Sequence, residues 1–106
     1  MALTLIDQYE VMYSANKFAP HIWLKSQGKY IGQLVFEPDN ATLPTDNMVN
    51  NQVSLYYHLE DFPHAIDLLR NEAPMYLLYS GSGPGLENGI KTTPEPVGEG
   101  ELKVAA

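Results

Sequence analysis

His21-Ile22-Trp23-Leu24-Lys25-Ser26-Gln27-Gly28-Lys29-Tyr30-Ile31-Gly32-Gln33-Leu34-Val35-Phe36 is the stretch on which the fold turns. Two apolar-rich runs, 21–25 and 30–36, flank Ser26-Gln27-Gly28-Lys29. Glycine accepts positive φ, so Gln27-Gly28 predicts a two-residue turn and the runs predict a β-hairpin. In that register Leu24 faces Ile31 and Trp23 faces Gly32, a large ring covering glycine backbone. The same alternation places His21, Trp23 and Tyr30 on one face together with Leu34 and Phe36.

Downstream, Pro38 to Gln52 is rich in Asn, Asp, Thr and Pro, with isolated Leu43, Met48 and Val49. It has no period and is expected to be a long loop, of the kind that binds or moves. Val53, Leu55, Tyr57 and Leu59 then alternate with Ser54, Tyr56 and His58, which predicts a strand with one buried face. Phe62, Ala65, Ile66 and Leu69 form the apolar stripe of a helix lying on a sheet. The helix is expected over Asp61–Glu72, with Asp61 as its cap, Pro63 in its first turn and Pro74 beyond its end. Arg70, the sole arginine, can pair with Asp67 or Glu72 or complement the helix C-terminus, and Leu68 lies off the stripe.

A strand at Met75–Tyr79 follows at once. The 15 residues from Glu60 to Pro74 suffice for a helical crossover between parallel strands, with a split antiparallel arrangement as the alternative. Ser80 to Gly85 forms a flexible turn region, and Gly89–Thr93 a short last strand. Prolines and glycines recur from Pro94 to Gly100, which excludes a helix or a central strand there.

Upstream, Tyr9, Val11 and Tyr13 alternate with Glu10 and Met12 as in a strand. Leu5, Ile6, Tyr9, Met12 and Tyr13 also fit one helical face, with Thr4 as a cap. The β-favouring Tyr-Glu-Val-Met-Tyr content favours the strand. The resulting expectation is an α+β fold: a mainly antiparallel or mixed sheet of five to six strands with one helix packed on one face. Residues 1–93 form the single compact domain and 94–106 an extended, mobile Pro/Gly/Glu tail.

Composition narrows function by exclusion. The chain has 106 residues, no cysteine, and 6 Lys+Arg against 13 Asp+Glu, for a net charge of −7. One domain fits that length. Without cysteine there is no thiol nucleophile, disulfide or thiolate metal site. The acidic balance argues against a nucleic-acid partner, because phosphate contacts require clustered cations. No basic leader with an apolar run, no run of ~18 apolar residues and no lipidation motif is readable, so a soluble cytoplasmic protein without a membrane partner is expected.

Motifs for chemistry fail one by one. Gly81, Gly83, Gly85 and Gly89-Ile90-Lys91-Thr92 superficially resemble a phosphate loop, but Ile90 separates glycine from lysine and no helix follows. A glycine-flanked nucleophile at Ser82 would need glycine at 80 and 84, where Ser80 and Pro84 stand. His64 with Asp67 is a pair that surface helices often carry without catalysis. His21, His58 and His64 lack metal-ligand spacing, so no metal or cofactor is expected. The aromatic residues carry more. His21, Trp23, Tyr30, Tyr56 and His58 make an amphipathic surface if both sets project to one side of the sheet, and otherwise lie under a second packed layer.

No catalytic residue is assigned. The expectation is a non-catalytic protein-interaction or oligomerisation module, most simply a homodimer. The alternative is a small-ligand binder or minor enzyme with a pocket between helix, long loop and sheet, using Tyr56, His58 and His21.

Overall fold

The computed structural model describes residues 2–94 and 97. Over the described residues it is an α+β fold of eight strands and one α-helix: β1 Ala2–Ile6, β2 Gln8–Met12, β3 His21–Ser26, β4 Lys29–Glu37, β5 Asn47–Val49, β6 Gln52–His58, α1 Phe62–Asn71, β7 Met75–Tyr79 and β8 Gly89–Thr92. The strands form two sheets rather than the single one expected. The larger has the order β2-β3-β4-β6-β5 and the smaller β1-β7-β8. All neighbours are antiparallel except β4 and β6.

The N-terminal stretch is extended, as its composition suggested, but it makes two strands. Asp7 is the corner: β1 before it pairs with β7, and β2 after it pairs with β3. The Asp7 amide donates to the Lys25 carbonyl at 3.0 Å, and its Oδ2 accepts the Gln27 amide at 2.8 Å. One residue thus ties the switch between sheets to β3 through its amide and to the neighbouring turn through its carboxylate.

That turn is where the sequence placed it. Gln27 (φ 52) and Gly28 (φ 79) are both left-handed, and Ser26 pairs with Lys29. The register beyond it is different. Lys25 opposes Tyr30, but Leu24 opposes Gly32 and Trp23 opposes Gln33, so Ile31 is the extra residue of a β-bulge. A one-residue shift exchanges the faces of everything beyond it. Leu34 and Phe36 therefore leave the Trp23 face and enter the core, at 0% and 1% exposure. Gly32 is not roofed by tryptophan. A Cβ there would stand 2.6 Å from the Val53 carbonyl oxygen and 3.3 Å from Leu77 Cδ2, so the residue is glycine because β6 and β7 crowd it.

The core lies between the inner faces of the sheets. Ile22, Leu24, Leu34, Phe36, Val53 and Leu55 from the larger meet Ile6, Met75 and Leu77 from the smaller. The helix closes the remaining side with its expected stripe: Ala65 and Leu69 are buried, and Phe62 and Ile66 pack against the cluster. Phe62 meets Phe36 edge-on at 4.9 Å, and Phe36 stacks on Tyr57 at 5.6 Å. A 3-10 turn, Leu59–Asp61, precedes α1, so Asp61 already has helical backbone angles (φ −87, ψ −7) and its carboxylate caps no amide. Asp67 Oδ1 accepts from Asn71 Nδ2 at 2.7 Å, bonding along the helix to a residue other than Arg70.

The helix joins β6 to β7 in the other sheet, so it is no parallel crossover. The parallel β4–β6 pair is connected instead by residues 38–51, which hold a strand the sequence reading missed. Asn50 and Asn51 (φ 54 and 63) make a left-handed two-residue turn that pairs β5 with β6. The loop before β5 is pinned rather than free. Asp39 Oδ1 accepts the Glu60 amide at 2.7 Å, the Ala41 carbonyl meets His58 Nε2 at 3.0 Å, and Asp46 Oδ1 accepts the Tyr56 amide at 3.0 Å. Of the expected tail, residues 95, 96 and 98–106 lie outside the described residues.

Candidate functional site

The five-stranded sheet has two faces, and the one away from the core carries His21, Trp23, Tyr56 and His58. Register alone defines its rows: Met12, His21, Val35 and Tyr56 lie side by side, and Glu10, Trp23, Gln33 and Ser54 form the next row. Glu37 and His58 pair one step further on. His21 and Trp23 on the hairpin therefore share a side of the sheet with Tyr56 and His58, because the bulge that sends Leu34 and Phe36 inward leaves Val35 and Gln33 outward between them. Tyr30 sits on the turn side of the bulge, opposite Lys25, and keeps to the Trp23 face.

Contacts among these side chains are specific. The His21 and Trp23 rings meet edge-on with centroids 4.6 Å apart, and Trp23 and Tyr30 at 6.3 Å. His21 Nδ1 lies 3.0 Å from the Ala19 carbonyl oxygen, which anchors the imidazole to the chain entering β3. Tyr30 Oη donates to Glu10 Oε1 at 3.2 Å, and Lys25 Nζ stands 4.9 Å from the centre of the Tyr30 ring. Gln33 Nε2 donates to Ser54 Oγ at 3.2 Å. His21, Trp23, Gln33, Val35, Ser54, Tyr56 and His58 are all half-buried, while Tyr30 is 44% exposed. Side chains in such rows shield one another across strands rather than under a second layer. The smaller sheet and the helix pack on the opposite face, and among the described residues no strand or helix lies over this one.

A recess of about 330 Å³ opens at the hairpin end of the face, walled by Trp23, Tyr30, Gln33, Gln52 and Ser54. It offers aromatic faces beside amide and hydroxyl groups, a combination suited to binding and without a nucleophile–base pair. Tyr56 borders a separate recess of about 320 Å³ between the 43–46 loop and the 81–86 glycine loop. There Asp46 Oδ2 accepts from Asn88 Nδ2 at 3.0 Å, and Asn88 Oδ1 accepts the Ser80 amide at 2.6 Å. The glycine loop, read at first as a superficial phosphate motif, is thus tied into the fold by one asparagine.

The five residues named from the sequence fall into two groups. Trp23 with His21 and Tyr30 forms one cluster, whereas Tyr56 and His58 lie across Val35 and Glu37 from it. Sequence reading missed Gln33, Ser54 and Gln52, because without the bulge Gln33 belongs to the core face. The sole available signal was Gly32, a residue that often marks a bulge or a close backbone approach. Among the described residues no group of three or more His, Asp or Glu side chains is placed to hold a metal ion. No helix among them is long and apolar enough to cross a membrane. No family model, curated protein or solved structure matches this chain.

Proposed function

We propose that this chain is a non-catalytic interaction module that dimerises through the outer face of its five-stranded sheet. The reading rests on one observation: Trp23, flanked by His21 and Tyr30, stands on a sheet face that no strand or helix among the described residues covers. Tryptophan and tyrosine bring large rigid area together with a polar handle, and such residues anchor interfaces when their surroundings exclude water. Polar groups on the face are already paired to one another, as in Gln33 with Ser54 and Tyr30 with Glu10, so covering them leaves little unsatisfied. A two-fold pairing of such a face with itself is the simplest closed assembly.

Trp23 is the sole tryptophan, so its fluorescence reports on this face alone. Light scattering across a concentration series is expected to show a dimer, with acrylamide quenching of Trp23 falling as the dimer forms. Trp23→Ala is expected to give a monomer with an unchanged circular dichroism spectrum. A protein that stays monomeric at high concentration, with Trp23 equally quenched throughout, would overturn the reading.

A further inference from the structure

A further recess of about 450 Å³ lies elsewhere, between the flank of α1 and the strands β7 and β8. Its apolar wall comes from Ala65, Leu68, Leu78 and Ile90. Leu68 is 37% exposed and lies off the stripe that faces the core, so this groove is what its side chain borders. Asp61, Ala65 and Leu68 follow at the spacing that aligns side chains along one flank of a helix.

The polar groups are not spread evenly in sign. Asp61 and Glu87 contribute carboxylates, against the single ammonium of Lys91 and the imidazole of His64. Tyr57 also lines the groove, and its hydroxyl lies beside Gly89, another lining residue. The hydroxyl reaches toward β8, 3.6 Å from where a Cβ on Gly89 would be, and among the described residues it makes no hydrogen bond within the chain. Burial, and the carboxylates of Asp46 and Asp61 nearby, push the phenol up to about 12. Asp61, which lines the groove, and Asp46, which does not, both act on this one phenol, and beside it a positive charge is favoured.

We infer that this groove binds a small amphipathic amine, its ammonium held between Asp61 and the Tyr57 hydroxyl and its apolar part against Ala65, Leu68, Leu78 and Ile90. An ammonium offers donors and no acceptor, which matches a carboxylate beside a hydroxyl lone pair. A neutral molecule of the same shape gains the apolar contact alone. An anion meets Asp61 and Glu87 as like charges, and only Lys91 and His64 favour it.

Calorimetric titration of the intact chain with phenethylamine, 2-phenylethanol and phenylacetate separates these cases. Phenethylamine is expected to bind and to raise the melting temperature, 2-phenylethanol to bind about tenfold more weakly, and phenylacetate not to bind. Asp61→Asn is expected to weaken phenethylamine about tenfold, the scale of one lost charge-assisted hydrogen bond. Because Asp61 caps no amide, that variant should keep its circular dichroism spectrum. Glu87→Gln, in the loop before β8, supplies a second charge removal away from the helix. Equal binding of the alcohol, tighter binding of phenylacetate, or full affinity in both variants would overturn the inference. Trp23→Ala should leave amine binding intact, so failure here is distinct from failure of the dimer reading.

Discussion

Along β3, β4 and β6, alternate residues of the same strands build two very different surfaces. On the inner face Ile22, Leu24 and Leu34 are 0% exposed, Phe36 and Leu55 1%, and no buried polar side chain is present among the described residues. On the outer face their immediate neighbours His21, Trp23, Gln33, Val35, Ser54 and Tyr56 are all half-buried and mix rings with hydrogen-bonded polar groups. The inner face is defined by volume, since every side chain there must fill space against Met75, Leu77 or the helix. The outer face is defined by sideways pairing, since each side chain rests on its neighbours in the next strand. Which residues belong to which face depends on a single bulge at Ile31.

The sharpest way to break this contrast is to shorten one side chain on each face. Leu34→Ala is expected to cost about 3 kcal/mol in urea unfolding, the scale of a fully buried leucine truncated in a tight core. Val35→Ala, one residue on but outward, should cost about 1 kcal/mol or less in dilute protein. Equal costs would mean that the outer face is itself packed as a core.

Next in size is a test of the bulge. Gly32→Ala is expected to lose about 2 kcal/mol, because its methyl group meets the Val53 carbonyl oxygen and Leu77. Deleting Ile31 should be milder than deleting Gln33. Without Ile31 the pairs Lys25–Tyr30 and Leu24–Gly32 become consecutive and every other residue keeps its face. Without Gln33 the ladder is regular only if Ile31 takes the crowded place of Gly32. Thermal melts of the two deletion variants would decide between them, and a more stable Gln33 deletion would refute the assigned register.

An effect confined to high pH concerns Tyr57, which belongs to the inner face while Tyr56 belongs to the outer. Its phenol ionises at an ordinary 10.0 when unfolded and at about 12 when folded. Above pH 10 the unfolded chain has released a proton that the folded chain still holds, so stability falls as pH rises. The slope is at most about 1.4 kcal/mol per pH unit, confined to the range between pH 10 and about 12. Tyr57→Phe should flatten that part of the curve in urea titrations, and an unchanged slope would exclude Tyr57 as its source. Smallest is Gln27→Gly in the turn that starts both faces: relief of a left-handed glutamine is expected to raise stability by about 0.5 kcal/mol in the same assay.

Legibility in the sequence followed the range of the interaction. The Gln27-Gly28 turn, the alternation of Val53 to Tyr57 and the stripe from Phe62 to Leu69 are local patterns, and they became the hairpin, β6 and α1. The aromatic set was legible as residue types, but not as one cluster with Gln33 and Ser54. That grouping needs the bulge, and the glycine beside it sits against Val53 and Leu77, residues distant in sequence. The division into two sheets was equally hidden. Nothing in Leu5-Ile6-Asp7-Gln8 announces that the Asp7 amide bonds to Lys25 near the end of β3 and its carboxylate to Gln27 in the β3–β4 turn. The pinning of the 38–46 loop rests on Asp39 and Asp46, which as residue types suggest a turn and give no hint of their partners.

The corner at Asp7 also governs the order in which the molecule can assemble. β2 pairs with a strand close by in sequence, whereas β1, directly attached to it, must wait for β7, about 70 residues later. The five-stranded sheet can thus be in place while β1 still hangs from it as a free extended arm. Because β1 is an edge strand paired with β7 alone, its amides should be among the first strand amides to exchange with solvent when the native protein opens.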